Sequence, residues 1–149
     1  MPEIDPIDLA WAACAIDCEG CIGGYRFRSR KGYKWVMKLN VTNTDPRLPR
    51  RMQEIFGVGA VSKARRDKRP NMRPSFEWSA RNRGIEYILR AVLPYLVIKR
   101  EQAEVALAII DTMQKKNMGR ALTPEVIAER EAMVIQLKSL KRLPIQEVS

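Results

Sequence analysis

The clearest pattern lies between Tyr33 and Thr42, where Trp35, Met37, Leu39 and Val41 alternate with Lys34, Val36, Lys38 and Asn40. A period of two puts the first set on one face of a strand and the second on the other. The run Cys21–Arg28 precedes it across Ser29-Arg30-Lys31-Gly32, and together they predict a hairpin. In that first run Arg26, Arg28 and Arg30 share one parity and Tyr25 and Phe27 the other, with Gly23-Gly24 marking a bulge that shifts the phase. Ala60–Arg66 and Ser75–Ala80 predict a second strand pair, with Phe76 and Trp78 inward and Ser75, Glu77 and Ser79 outward. Trp11, Phe27, Trp35 and Trp78 are assigned to the core.

Elsewhere the apolar positions recur at helical spacing. The first helix is built around Asp8 to Gly20, with Asp5 as its cap, Pro6 at its first position and Ile4 stapled onto Leu9. Gly20 is expected to end it at positive φ. Thr44-Asp45-Pro46 starts a helix carrying Leu48, Met52, Ile55 and Phe56, which Gly57 stops. A third runs from about Asn82 to Val92 on Ile85, Ile88, Leu89 and Val92. Leu93-Pro94-Tyr95-Leu96 interrupts it before a long helix, Val97–Lys116, with Val105, Ile109 and Met113 on one face. Thr123-Pro124 opens a last helix to about Leu140, with Val126, Ile127, Met133, Val134 and Leu137 apolar. The resulting order is αββαββα followed by helices, an α+β fold. One domain is expected over residues 1–149, with a core at 5–118 and a helical extension at 119–149.

Charge narrows the function. The 149 residues hold 27 Lys and Arg against 17 Asp and Glu, a formal net charge of +10. That excess favours an anionic partner, nucleic acid before membrane. Residues 26–38 carry only basic charges, and an unmixed basic hairpin face suits a surface that tracks phosphates. No apolar run is long enough to span a bilayer, and the start Met1-Pro2-Glu3 lacks a basic leader region. The three cysteines suggest reduced thiols in an intracellular compartment, and without His or a fourth Cys a zinc site is not expected. The absence of His also excludes Ser-His and Cys-His triads.

Two features of the first helix point to a site. Ala10, Ala13 and Cys14 fall on one side at i, i+3, i+4 spacing, where a second helix could approach closely. Glu19 stands at the helix's C-terminal end, where the dipole disfavours an anion, so a cation is expected to offset the cost.

Ala12 to Gly20 resembles the LAGLIDADG motif of homing endonucleases. Ala13, Ile16, Asp17, Glu19 and Gly20 fit it; Ala12 stands where Leu is usual, and Cys14 and Cys18 where Gly is usual. The segments 39–45, 55–59, 76–78 and 93–103 extend the resemblance over about residues 7–110. It implies a curved antiparallel DNA-binding sheet and, with one motif per chain, a homodimer whose motif helices pack through Ala10, Ala13, Cys14 and Asp17. Asp17 is otherwise a support for the helix ends. The implied activity is a staggered double-strand cut of DNA at a long pseudo-palindromic site. Glu19 and the backbone oxygen of Cys18 would hold Mg²⁺ or another divalent cation, which activates water and polarises the phosphate. Lys99, Asn43 and Arg47 occupy the positions of the family's peripheral catalytic residues, with Asn43 where Gln occurs in some members.

The sheet's polar face would lie in the major groove, with DNA contacts from Arg26, Arg28, Arg30, Lys34, Lys38, Asn40, Ser62, Arg66, Arg69, Ser75 and Glu77, the loop Arg65–Arg73 touching phosphates. A strand of eight residues spans roughly 26 Å, on the order of eight base pairs per half-site. The alternative is a LAGLIDADG-fold binder that does not cut, either an intron-RNA maturase or a DNA-binding regulator. A ribosome-associated basic protein would leave the Asp17-x-Glu19-Gly20 ending unexplained.

Overall fold

The computed structural model of the chain describes residues 3–30, 32–63, 71–115 and 122–141. The elements follow the order α1 (Pro6–Glu19), β1 (Gly20–Ser29), β2 (Gly32–Asn43), α2 (Arg47–Phe56), β3 (Ala60–Lys63), β4 (Phe76–Arg81), α3 (Arg83–Val92), a 3₁₀ turn (Leu93–Tyr95), α4 (Arg100–Lys115) and α5 (Pro124–Leu140). The strands form one antiparallel sheet in the order β1-β2-β4-β3. The α+β arrangement is thus the one the periodicities predict.

The helices cover one face of this sheet. Trp35, Met37, Leu39 and Val41 are buried there, as their alternation predicts, and Trp78 joins them from β4. Above them lie Ala12, Ala13 and Ile16 of α1, Met52 of α2, all four apolar residues named for α3, and Ala103, Ala106 and Ile109 of α4, in one continuous cluster. Phe56 stacks on Trp78 with ring centroids 6.1 Å apart. Trp78 Nε1 donates to the Val58 carbonyl at 3.0 Å, satisfying the one polar atom of a buried ring.

Local chemistry sets most element ends. Asp5 accepts from the Ile7 N–H at 2.8 Å with Pro6 at the first helical position, and Ile4 and Leu9 both pack against the core. Gly57 ends α2 at φ +66°, and the Thr123 hydroxyl caps α5. Gly20 differs from expectation. Its φ is −92°, an extended conformation open to any residue. Space is what requires glycine there, because a Cβ would lie 2.6 Å from the Ile16 carbonyl oxygen. The phase shift at Gly23-Gly24 is also absent: β1 and β2 pair without interruption from Gly20 to Ser29. Gly24 is needed because a Cβ would lie 2.8 Å from Met37 Sδ.

Two further expectations are corrected. Trp11 and Phe27 are not core residues, being 39% and 43% exposed. The long helix begins at Arg100 rather than Val97, since the amides of residues 97–99 are bound elsewhere. The third strand is described only to Lys63, so the rest of its expected length lies outside the described residues.

Candidate DNA-cleavage site and DNA-facing sheet

The end of α1 gathers the chemistry. Asp17 is 8% exposed and turned inward, and its carboxylate accepts the N–H groups of Val97, Ile98 and Lys99 at 2.9, 3.2 and 2.9 Å. It thereby fixes the turn that leads into α4. The same turn brings Lys99 Nζ back to donate to the Asp17 carbonyl oxygen. An ammonium on a C-terminal carbonyl of α1 complements the helix dipole, and it fixes a cation at this end of the helix. Glu19 is exposed. Gly20, Cys21, Ile98, Lys99 and Gln102 line one recess at this end.

Of the residues expected to face a second copy, Ala13 is fully buried in the chain's own core and Asp17 is committed to the α4 turn. Neither offers surface to a partner, because both belong to the side of α1 that faces its own helices. Ala10 and Cys14 are exposed. They continue a stripe with Ile7, Trp11 and Cys18, at the four- and three-residue spacing of a helix-pairing seam. The Cys18 thiol is pushed above its ordinary pKa, chiefly by its hydrogen bond with Cys14 and then by the charge of Cys14, burial and the nearby carboxylates of Asp17 and Glu19. It therefore stays protonated at neutral pH. All three cysteines are free and exposed.

Asn43 and Arg47 line a recess shared with Trp11, Asp45 and Arg51. The Asn43 side chain accepts from the Asp45 N–H at 2.8 Å and holds the turn into α2. Arg47 pairs with Asp45 at 2.6 Å. Lys99 does not line this recess, so the expected peripheral residues form two groups rather than one cluster.

The strand register settles which side chains face away from the helices. Lys34, Lys38 and Asn40 lie on the outward face. Glu77 and Ser62 join them across β4 and β3. Lys38 Nζ bonds Glu77 at 2.7 Å, and Asn40 Nδ2 donates to the other Glu77 oxygen at 3.4 Å. These expected contact residues thus form one polar cluster. Ser75 precedes β4 with the parity of Glu77.

Arg26 and Arg28 are corrections. Arg26 lies opposite Trp35 and Arg28 opposite Tyr33, on the helix side. Arg26 is held there by Glu131 of α5 at 3.1 Å and stacks 4.4 Å over the Tyr33 ring. The outward positions of β1 are Tyr25, opposite Val36, and Phe27, opposite Lys34. Ser79, opposite Asn40, faces outward as expected, and Arg81, opposite Lys38, is an outward residue that the sequence reading missed. A signal for Tyr25 and Phe27 was present: pairing Ser29 with Gly32 across the expected hairpin linker gives each β1 residue a fixed β2 partner, and that count sets Arg26 opposite Trp35. Arg30 sits exposed at the turn, and Arg66 and Arg69 lie outside the described residues.

No family model matches the chain. It is 29% identical over 131 residues to the DNA endonuclease I-CvuI of Chlorella vulgaris, spanning 84% of this chain and 74% of that protein. The crystal structure of homing endonuclease I-CvuI in complex with its target, in the presence of 2 mM Ca, matches 95% of this chain and 87% of that chain with a TM-score of 0.74 at 24% identity. The chain has the LAGLIDADG homing-endonuclease fold. An archaeal intron-encoded homing endonuclease, I-Vdi141I, complexed with DNA, matches 96% of this chain and 89% of that one, with a TM-score of 0.74 at 13% identity. The I-SmaMI LAGLIDADG homing endonuclease bound to cleaved DNA matches 89% of this chain but 45% of its own length, with a TM-score of 0.69 at 23% identity. In LAGLIDADG terms this chain carries one motif helix, α1, and the match to under half of I-SmaMI fits a unit of that size. Among the described residues no helix is long and apolar enough to cross a membrane.

Proposed function

We propose that two copies of the chain form a site-specific DNA endonuclease that cuts both strands with a divalent cation, one strand per copy. The observation that supports this most is the end of α1, where Glu19 is exposed and the Lys99 ammonium is fixed on the carbonyl of Asp17, two residues before it. A protein that only binds nucleic acid needs neither group there, since both belong to the end of the helix rather than to the sheet.

The donors suit a hard cation such as Mg²⁺: they are the oxygens of the Glu19 carboxylate and the Cys18 backbone, while the Cys18 thiol, kept protonated, adds no soft thiolate ligand. Among the described residues no group of three or more His, Cys, Asp or Glu could hold a metal. One chain therefore supplies too few donors for an octahedral shell, and water, phosphate oxygens and the partner copy's carboxylate would complete it. The ion, when bound, would acidify a water and polarise the scissile phosphate. Lys99, already oriented, would stabilise negative charge on that phosphate. Arg47 and Asn43, at the start of α2, would contact the DNA backbone or hold water there.

The seam of Ile7, Ala10, Trp11, Cys14 and Cys18 is where α1 of the second copy would pack, bringing two Glu19 residues to one axis. The outward sheet faces would then lie in successive major-groove segments of a long, pseudo-palindromic duplex.

The test is cleavage of a duplex selected for binding, in Mg²⁺, by wild type and Glu19→Gln. The variant should bind with unchanged affinity and cut at least about a hundredfold more slowly. Cleavage at the wild-type rate would overturn the metal-site assignment.

A further inference from the structure

The outward face of the β1–β2 hairpin is not uniformly polar. Tyr25 and Phe27 are 42% and 43% exposed there, with Val36 directly opposite Tyr25. The helix side of β1 is covered by α5, through Val134 below Gly24 and Glu131 on Arg26, so these aromatics lie on the face turned away from α5. Lys34 and Lys38 flank them on β2.

On a ribbon in the major groove, an aromatic ring cannot stack on paired bases, and Phe27 has no hydrogen-bonding atom. The apolar group that unmodified duplex DNA presents in that groove is the C5-methyl of thymine. We propose that Tyr25, Phe27 and Val36 read thymine methyl groups, so that each half-site carries T·A pairs opposite them. This rests on the endonuclease reading and names part of its substrate.

The strand also gives the positions. Tyr25 and Phe27 lie six and eight residues beyond Glu19, about 20 and 26 Å along an extended chain. At about 3.4 Å per base step, their methyl partners fall about six and eight base pairs from the cut.

The test selects duplexes from a randomised pool with the full chain. Each thymine of the selected duplex is then replaced in turn by deoxyuridine, which removes the methyl and leaves every hydrogen bond. Wild type should select thymine near the sixth and eighth steps and bind about fourfold more weakly for each methyl lost there. Phe27→Ser should become indifferent to deoxyuridine at the outer position and Tyr25→Ser at the inner one, while Phe27→Leu keeps the response. Both residues are surface-exposed, and unchanged melting of the variants checks that they fold. Selected duplexes without thymine at those steps, or a wild type indifferent to deoxyuridine, would overturn the methyl assignment alone. Failure to select any duplex would overturn the endonuclease reading with it.

Discussion

At the scale of single residues, the pairing of Arg47 with Asp45 governs what Arg47 can do. Arg47 Nε and Nη2 both bond the carboxylate, at 3.0 and 2.6 Å, and the Arg47 backbone N–H adds a third bond at 2.9 Å. The Arg47 side chain, and then its backbone N–H, hold the Asp45 carboxyl down at about 2, from 3.8. Because the folded value lies below the unfolded one, the pair is complete above pH 3.8 and is lost as pH falls through about 2. It is therefore intact at any pH where a nuclease works, and a phosphate must draw Arg47 away from Asp45. Arg47→Ala should return the Asp45 titration toward 3.8, followed by carboxyl-carbon NMR. A midpoint that stays near 2 would show that Arg47 is not the cause. Gly20 teaches a separate lesson. The residue type was expected from the motif, but its reason is the 2.6 Å approach to Ile16 rather than a left-handed turn.

At the scale of elements, Asp17 joins two helices that are far apart in the chain. Its carboxylate caps the turn before α4 by accepting three N–H groups, and this orients Lys99. Hydrogen bonds to a charged acceptor contribute more than neutral ones, and removing the acceptor leaves partly buried donors unpaired. Asp17→Ala should cost about 2–4 kcal/mol in urea unfolding and reduce cleavage more than DNA binding, because Lys99 loses its seat. Equal loss of both would mean the turn serves only stability. The helix α5 has a comparable structural task. Its Arg130 is 1% exposed, donates to the Thr112 carbonyl at 2.8 Å and lies 5.5 Å from the centre of the Trp35 ring. Its Glu131 pairs with Arg26, which the strand register turns to the helix side of the sheet.

At the scale of the whole molecule, the seam on α1 leaves Ile7 77% and Trp11 39% exposed. The proposed second copy would cover this apolar stripe and bring its own Glu19 to the same axis. Sedimentation should therefore give twice the 17.1 kDa chain mass. Ile7→Glu combined with Cys14→Glu should yield a monomer that no longer cuts both strands, since two like charges would be buried against their own symmetry mates. A wild type that sediments as a monomer at micromolar concentration would remove the basis for paired Glu19 sites.

The sequence by itself determined the elements and most of their ends, because period, cap and turn signals act over a few neighbouring residues. Trp35 to Val41, the α3 quartet, Asp5-Pro6, Gly57 and Thr123-Pro124 all belong to that class. It also contained the hairpin register, in the short linker between Ser29 and Gly32, although the glycine pair at 23–24 obscured it. Only the tertiary structure decided what those elements turn toward one another. Asp17 meets amides some eighty residues away, Arg26 meets a helix a hundred residues on, and Ala13 faces its own core rather than a partner. A local pattern fixes which residues share a face, whereas the choice of neighbour for that face is made by contacts distant in sequence, and no periodicity records them.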